Sequence, residues 1–386
     1  MTSESNSLSD KGPDAVKQRV LFIENSVDFT GAFKCALREA ELQREEAYFV
    51  FALPTRSKNT ERVEKAGFKV YPIPYREIRR SFVSVFLYLP FLLINYFRLR
   101  RILKKEGITC IRVNDYYNLL GSMACLFGFR GSLITSVRFL PSAKPSLLNR
   151  IWSCAAQRYS SRVIAVSAAV LRQLPPSPRN LLVYDPVDFP VNHPSLDPPA
   201  DGKTHFIYLA NYTWGKGQEW AIRAFVNAVR EESSMELDFY GGDMGLEKNI
   251  RFRSELEKAV GKMGIRDKIH FHSFTPDVEF LIRSSHVLLN FSEAESFSLT
   301  CAEASFYVRP VIATRCGGPE ELIVHGETGL LVDLGDLSGM TAALLRLHRD
   351  PTERLRMGQA GSERMRRVFT VREFVNAMRD VYRPFQ

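Results

Sequence analysis

The sequence lacks features that would assign its 386 residues to several common classes. It has no internal repeat, and its apolar fraction of 45% is that of a globular protein. The first apolar run, residues 19–23, is too short for a signal peptide. Cysteines are few and show no paired spacing that would suit zinc or a redox couple, which is typical of a reducing compartment. They are Cys35, Cys110, Cys125, Cys154, Cys301 and Cys316. We therefore expect a cytoplasmic protein.

Long hydrophobic runs are also missing, apart from the uncharged residues 81–97 between basic flanks. Pro90 interrupts this run, and its length is at the bottom of the membrane-spanning range of about 17–25 residues. A transmembrane helix is thus the least favoured interpretation. Two alternatives stay open: buried helices of the first half of the chain, or an amphipathic surface that faces a membrane.

Positive charge is concentrated in one half of the chain. Residues 1–200 contain 28 Lys and Arg against 17 Asp and Glu, a surplus of eleven, whereas residues 201–386 contain 24 against 26. Such a surplus attracts nucleic acid, an anionic membrane or a phosphorylated acceptor. Because no nucleic-acid-binding motif accompanies it, we expect no nucleic-acid partner. We expect peripheral contact with an anionic membrane through residues 79–105.

Predicted strands alternate with predicted helices along nearly the whole chain, which indicates an α/β fold with parallel sheets. Eight prolines within residues 173–202 indicate a domain boundary without regular structure. The sequence therefore predicts two doubly wound, Rossmann-like domains that face a cleft. We assign residues 1–14 to a disordered start, 15–195 to the first domain and 203–368 to the second.

Residues 290–329 carry most of the functional information. Glu295 and Glu303 lie eight positions apart across a predicted loop-to-helix junction, with Ser298 as the expected N-cap. Free N–H groups at that helix start would favour an anion. Glu303 lies about 6 Å further along the helix than Leu299, at about 1.5 Å per residue, which suits the step from a diphosphate to its ribose. Glu295 is then on the sugar side, so the geometry fits a nucleotide-sugar.

These motifs resemble the retaining glycosyltransferases of family 4, which have the GT-B fold. The resemblance rests on the two glutamates, on Pro-Val-Ile-Ala-Thr at residues 310–314, on Gly317-Gly318, and on Glu-Thr-Gly-Leu-Leu-Val at residues 327–332. It implies a UDP- or GDP-sugar donor without a cofactor, and a terminal helix at residues 369–386 that crosses back to an acceptor-binding first domain. No Asp-x-Asp occurs, so a bridging metal is not implied.

The resemblance also implies residue roles. Glu295 and Lys216 would be catalytic, with Lys216 neutralising the departing diphosphate. A surface lysine in a turn is the alternative for Lys216. The expected donor-binding residues are Glu303, Lys216, Phe297, Ser298, Leu299, Thr300, Asn211, Gly31 and Gly241. For Gly31 a plain helix-start glycine, and for Gly241 a tight turn, remain equally acceptable.

Several positions depart from the family pattern. Asn211 stands where an arginine is usual, and Ser296 and Ser298 replace glycines. Val308 stands where a glycine usually relieves a left-handed helix end. Another departure concerns the cleft edge, where Arg138 replaces a histidine. That arginine could bind phosphate or an acceptor carboxylate, or it could be an ordinary surface residue.

The sequence therefore predicts a retaining, metal-independent glycosyltransferase whose acceptor is a saccharide or a lipid-linked or cell-surface glycoconjugate precursor, as in polysaccharide biosynthesis. Two other classes remain open: a nucleotide-sugar epimerase or phosphorylase of the same architecture, and a catalytically silent scaffold.

Overall fold

Two parallel β-sheets organise the chain in the computed structural model, which describes residues 17–75, 82–143, 145–193 and 195–383. The first sheet has the strand order β3-β2-β1-β4-β5-β6-β7, and the second has the order β10-β9-β8-β11-β12-β13. In each sheet the order reverses beside the first strand, which is the doubly wound pattern. The predicted fold class, two Rossmann-like domains in a GT-B arrangement, is confirmed. The predicted start at residues 1–14 lies outside the described residues.

The first domain alternates strands and helices as its hydrophobic pattern predicts. The strands are β1 (Gln18–Ile23), β2 (Ala47–Pro54), β3 (Lys69–Ile73), β4 (Cys110–Val113), β5 (Ser132–Val137), β6 (Arg162–Ala165) and β7 (Asn180–Leu182). The helices are α1 (Gly31–Leu42), α2 (Thr60–Lys65), α3 (Phe82–Lys105), α4 (Leu120–Leu126), α5 (Ser146–Tyr159) and α6 (Ala168–Leu171).

The second domain repeats this plan. Its strands are β8 (Thr204–Leu209), β9 (Met235–Tyr240), β10 (Ile269–His272), β11 (Val287–Asn290), β12 (Val311–Thr314) and β13 (Gly329–Val332). Its helices, with the terminal helix, are α7 (Gln218–Glu231), α8 (Glu247–Met263), α9 (Val278–Arg283), α10 (Leu299–Phe306), α11 (Pro319–Leu322), α12 (Leu337–Arg349), α13 (Pro351–Val368) and α14 (Val371–Tyr382).

Among the described residues of the proline-rich segment 173–202 there is one regular element, so the prediction of no regular structure there is wrong at that place. Strand β7 pairs with β6, with Asn180 opposite Val163 and Leu182 opposite Ala165. These three residues fall between Pro178 and Pro186, so none of them is a proline. They form the sheet edge, where short strands are tolerated.

Helix α14 packs against the first domain. Phe374, Met378 and Val381 are buried in the same hydrophobic cluster as β1 and β2. The Tyr382 hydroxyl donates a hydrogen bond of 2.6 Å to the Glu39 carboxylate. Because that carboxylate also pairs with the buried guanidinium of Arg112 at 2.8 Å, the end of the chain closes a buried polar network.

Helix α3 contains the uncharged run identified in the sequence, except for its first residue, which with Arg79 and Arg80 lies outside the described residues. The described side chains of α3, from residue 90 onward, have two kinds of surroundings. Tyr96, Leu99 and Ile102 are buried against the first sheet, whereas Leu93, Ile94 and Phe97 are 45%, 48% and 55% exposed. Within the described residues no helix is long and apolar enough to cross a membrane. The buried-helix interpretation is therefore confirmed for one face of the described part of α3. The membrane-facing interpretation stays a prediction for the exposed face.

Candidate active site

A cleft of about 1060 Å³ lies between the carboxyl edges of the two sheets, where ligands of doubly wound folds bind. The first domain lines it with the residues after β1 and β4, and the second domain contributes Asn211, Lys216, Met244 and Leu246. The cleft that the sequence predicts between two facing domains is therefore present in the structure. Gly31, Asn211 and Lys216 are the predicted site residues that line it.

Glu295 lies on the loop between β11 and α10, and its backbone is held on both sides. Its N–H donates to the carbonyl of Cys316 at 3.1 Å, and its carbonyl accepts from the N–H of Gly318 at 2.8 Å. Its carboxylate accepts from the Ser292 hydroxyl at 2.9 Å and pairs with the Lys216 ammonium at 2.8 Å. The loop therefore presents a charged, preoriented pair of side chains.

Lys216 sits in a turn that only glycine can complete. Gly217 has φ +75°, and a Cβ there would lie 1.9 Å from the carbonyl oxygen of Phe291. The Tyr208 hydroxyl donates a hydrogen bond to the Lys216 carbonyl, and this bond stabilises the turn. Burial disfavours the charge of Lys216, but the Glu295 carboxylate outweighs this effect and raises the pKa of the ammonium above its ordinary value. Lys216 is therefore charged at neutral pH.

Glu303 lies one turn into α10 and contacts the other domain. Its carboxylate, 7% exposed, pairs with the ammonium of Lys34 on α1. Lys34 was not predicted from the sequence as a site residue. Its position three residues after Gly31, on the helix that begins at the cleft, could have indicated it. The carboxylate expected to hold a ribose is thus occupied by a cation of the first domain in this structure.

Ser298 occupies the N-cap position of α10, but the prediction that it caps the helix is wrong. It has φ +76°, and its hydroxyl instead accepts a hydrogen bond of 2.9 Å from the Asn290 amide. Within the described residues no side chain caps this helix start. The first-turn N–H groups, those of Leu299 and Thr300 among them, are therefore free of a capping oxygen, which is the state that suits an anion.

The residues on either side of Ser298 have separate environments. Phe297 is 3% exposed and packs against the rings of Tyr184 and Phe369, so its side chain belongs to the core and not to the cleft. The position of this side chain therefore gives no support to the donor-binding role expected for Phe297. Leu299 approaches Gly31 so closely that a Cβ at Gly31 would lie 2.9 Å from the Leu299 methyl. The glycine thus lets the two domains meet beside the helix start.

Asn211 and Gly241 lie together at the ends of β8 and β9. The Asn211 side-chain oxygen accepts from the N–H of Gly242 at 3.2 Å. A Cβ at Gly241 would lie 1.9 Å from the carbonyl oxygen of Ala210, so packing between the two strand ends requires this glycine. The tight turn therefore explains why residue 241 is a glycine. Asn211 contributes an uncharged amide to the cleft.

Arg138 is 7% exposed and forms a buried ion pair with Asp185 at 2.8 Å. Its Nε also donates to the Asn114 side-chain oxygen at 2.7 Å. Burial disfavours its charge, but Asp185 outweighs burial and raises the pKa of the guanidinium. Arg138 does not line the cleft, so the prediction of a cation available to phosphate or an acceptor carboxylate is corrected. Ser296 joins the domains here, since its hydroxyl donates to the Arg138 carbonyl at 2.7 Å.

Three polar residues at the first-domain edge of the cleft were not predicted from the sequence. Glu24 follows β1 and is 3% exposed, and Asn114 and Asp115 follow β4 and are 2% and 7% exposed. Burial raises the pKa of the Asp115 carboxyl to about 8. Both strands were predicted, and polar residues directly after the carboxyl ends of two parallel strands are a signal of this site in the sequence.

Residues 203–350 match the family model described as glycosyl transferases group 1. N-acetyl-alpha-D-glucosaminyl L-malate synthase of Bacillus anthracis is 26% identical over 335 residues, which are 81% of this chain and 85% of that protein. The lipopolysaccharide core biosynthesis glycosyltransferase LpsD of Rhizobium meliloti is 28% identical over 193 residues, 50% of this chain. This alignment covers 53% of LpsD, about half of its length.

Solved structures share the fold over nearly the whole chain. Anabaena HepE, crystallised with UDP and glucose, superposes with a TM-score of 0.78 at 18% identity, covering 94% of this chain and 98% of HepE. Sucrose-phosphate synthase of Thermosynechococcus elongatus gives a TM-score of 0.77 at 18% identity, covering 95% and 98% of the two chains. At this level of identity the similarity establishes the fold.

Proposed function

We propose that this chain, whose residues 203–350 match the family model of the group 1 glycosyl transferases, moves a sugar from a nucleotide-sugar to an acceptor bound by the first domain. The observation that carries the proposal is the Lys216–Glu295 pair, 2.8 Å apart, at the domain cleft. Beside it lies the uncapped start of α10, with Glu303 one turn further along. This set provides a cation and N–H groups for a diphosphate, and carboxylates for hydroxyls on either side of it.

The transfer step needs stabilisation of a leaving group more than a protein nucleophile. The bond between the anomeric carbon and the diphosphate oxygen breaks, and its electron pair leaves with the nucleoside diphosphate. An acceptor hydroxyl oxygen bonds to the same carbon, and its proton passes to the departing diphosphate. Lys216 and the start of α10 stabilise the growing negative charge, and Glu295 orients the sugar through its hydroxyls.

We propose that the anomeric configuration is retained and that no metal takes part. Support for both comes from the resemblance to family 4, in which the diphosphate charge is met by side chains and a helix start. Activity should persist in EDTA at concentrations well above contaminating metal, whereas an enzyme inactivated by the chelator and restored by Mg²⁺ would contradict the metal-free mechanism. The product anomer, read from its proton coupling by NMR, tests retention.

We further propose that the acceptor is lipid-linked or part of a cell-surface glycoconjugate, and that the chain binds the cytoplasmic face of an anionic membrane. Support comes from α3, where exposed Leu93, Ile94 and Phe97 precede a basic stretch on the same helix. Arg98, Arg100 and Arg101 are exposed as well. Apolar side chains next to cations on one exposed helix are typical of interfacial binding.

Donor binding is the first experimental test. A thermal-shift screen of UDP- and GDP-sugars against the full chain should find a stabilising donor, since a ligand at 100 times its dissociation constant adds about 2.7 kcal/mol. Hydrolysis of that donor, and product analysis with and without acceptor, then separate a transferase from an epimerase or a phosphorylase. A chain that binds no nucleotide-sugar would favour a silent scaffold.

A matched pair of variants sharpens this test. Glu295→Ala should depress transfer while sparing the affinity for free nucleoside diphosphate, because Glu295 is assigned to the sugar. Glu293→Ala, an exposed glutamate on the same loop, is the control and should behave as wild type. Equal weakening of nucleotide and nucleotide-sugar by Glu295→Ala would show that the sugar-side placement is wrong.

A further inference from the structure

The first-domain wall of the cleft is polar but poor in cations. Of the described residues that line the cleft, those from the first domain include the acidic Glu24, Asp28 and Asp115 and a single cation, Arg56. Arg56 is exposed, whereas Glu24 is 3% and Asp115 7% exposed. The groups nearest the floor of this wall are therefore carboxyls and amides.

The buried charged groups at this wall disfavour the binding of an anion. The Glu24 carboxylate accepts from the N–H of Ser26 at 2.7 Å and from the Asn114 amide, and no described cation forms a salt bridge with it. The nearby guanidinium of Arg138 is neutralised by Asp185. A phosphate or carboxylate placed here would meet a like charge in a poorly solvated site, which is unfavourable.

Aromatic rings form the other part of the wall. Tyr117 and Phe139 both line the cleft, and their ring centroids lie 5.7 Å apart. Phe139 is 37% exposed, so part of its ring is accessible from the cleft. An aromatic face carries partial negative charge, and it therefore suits the C–H groups of a pyranose, while the carboxyls and amides suit its hydroxyls.

We propose that the acceptor group entering this cleft is an uncharged sugar ring, lying on Tyr117 and Phe139 with hydroxyls directed to Glu24, Asn114 and Asp115. The proposal rests on the transferase function proposed above and specifies its acceptor. Any phosphate of a lipid-linked acceptor then lies outside the cleft floor. Burial favours the neutral form of the Asp115 carboxyl, so that it can donate as well as accept a hydrogen bond.

The experiment compares neutral with anionic probes by saturation-transfer NMR on the full chain, with saturating UDP or GDP, whichever the donor screen identifies. The neutral probes are the methyl glycosides of glucose, galactose, mannose and N-acetylglucosamine. The anionic probes are methyl glucuronoside, glucose 6-phosphate and mannose 6-phosphate. Nucleotide binding is measured first, because its failure would refute the transferase function and not the acceptor class.

At least one neutral glycoside should bind, with the strongest saturation on one face of its ring. Phe139→Ala and the bulk-preserving Phe139→Leu should each weaken it roughly tenfold without changing nucleotide affinity. Arg56→Gln is the matched charge control and should change the affinity less than about twofold. The proposal is overturned if no neutral glycoside binds. It is also overturned if an anionic probe binds more tightly and Arg56→Gln weakens that probe tenfold or more.

Discussion

Asp115 makes the stability of the protein depend on pH in a direction opposite to that of most carboxylates. An aspartate in an unfolded chain has a pKa of about 3.9. Burial at the end of β4 raises the pKa of Asp115 to about 8 in the folded protein. Between these values the folded protein keeps a proton that the unfolded chain has released. The free energy of unfolding therefore falls as pH rises through this window.

The magnitude follows from the size of the shift. Each unit of pKa difference corresponds to about 1.4 kcal/mol, so a shift of about four units lowers stability by roughly 5 kcal/mol between pH 4 and pH 8. Asp115→Asn removes this titration. Its side-chain oxygen can still accept from the N–H of Tyr116, a bond of 2.9 Å in this structure. The variant should match wild type near pH 4 and exceed its stability by several kcal/mol at pH 8.

The assay is urea denaturation followed by fluorescence at several pH values from 4.5 to 8.5, comparing wild type with Asp115→Asn. The difference between the two proteins isolates Asp115 from every other titrating group. Asp333→Asn is the control, because the Asp333 carboxylate is 76% exposed and the variant should show no such trend. A stability difference that stays constant with pH, or a wild type that is the more stable protein at pH 8, would refute the reasoning.

The remaining predictions concern the cleft and the membrane-facing helix. Lys216→Ala should lower turnover by on the order of a hundredfold or more, with a smaller effect on donor KM, since charge on the diphosphate grows in the transition state; steady-state rates within about threefold of wild type would assign that charge to another group. Glu303→Gln should weaken nucleotide affinity by about 1.5–3 kcal/mol in calorimetry, and unchanged affinity would exclude the ribose role. Changing Arg98, Arg100 and Arg101 to Glu should reduce sedimentation with anionic vesicles, at about 1 kcal/mol per basic side chain. Salt should weaken but not abolish wild-type binding, and equal sedimentation of both proteins would argue against this surface.

The local features of this protein could be predicted from its sequence. Alternating apolar runs predicted the strands, and the change of period after Ser298 predicted α10, because these patterns depend on neighbours only a few residues apart. Two positions where the family pattern has glycine also have the backbone conformation that glycine favours. Val308 has φ +63° and Ser298 has φ +76°, left-handed conformations that glycine adopts without strain. The placement of Glu295 ahead of the helix and Glu303 within it was likewise readable from spacing.

The pairing of charged residues from distant parts of the chain could not be read from the sequence. Lys34 and Glu303 are 269 positions apart and pair because α1 and α10 face one another across the domain boundary. Arg138 and Asp185 are 47 positions apart, and their pairing turned an expected cleft cation into a neutral buried pair. The raised pKa of Asp115 depends on burial, which no single segment specifies. Such contacts arise from the packing of distant elements, whereas spacing in a sequence reports only on residues within one element or loop.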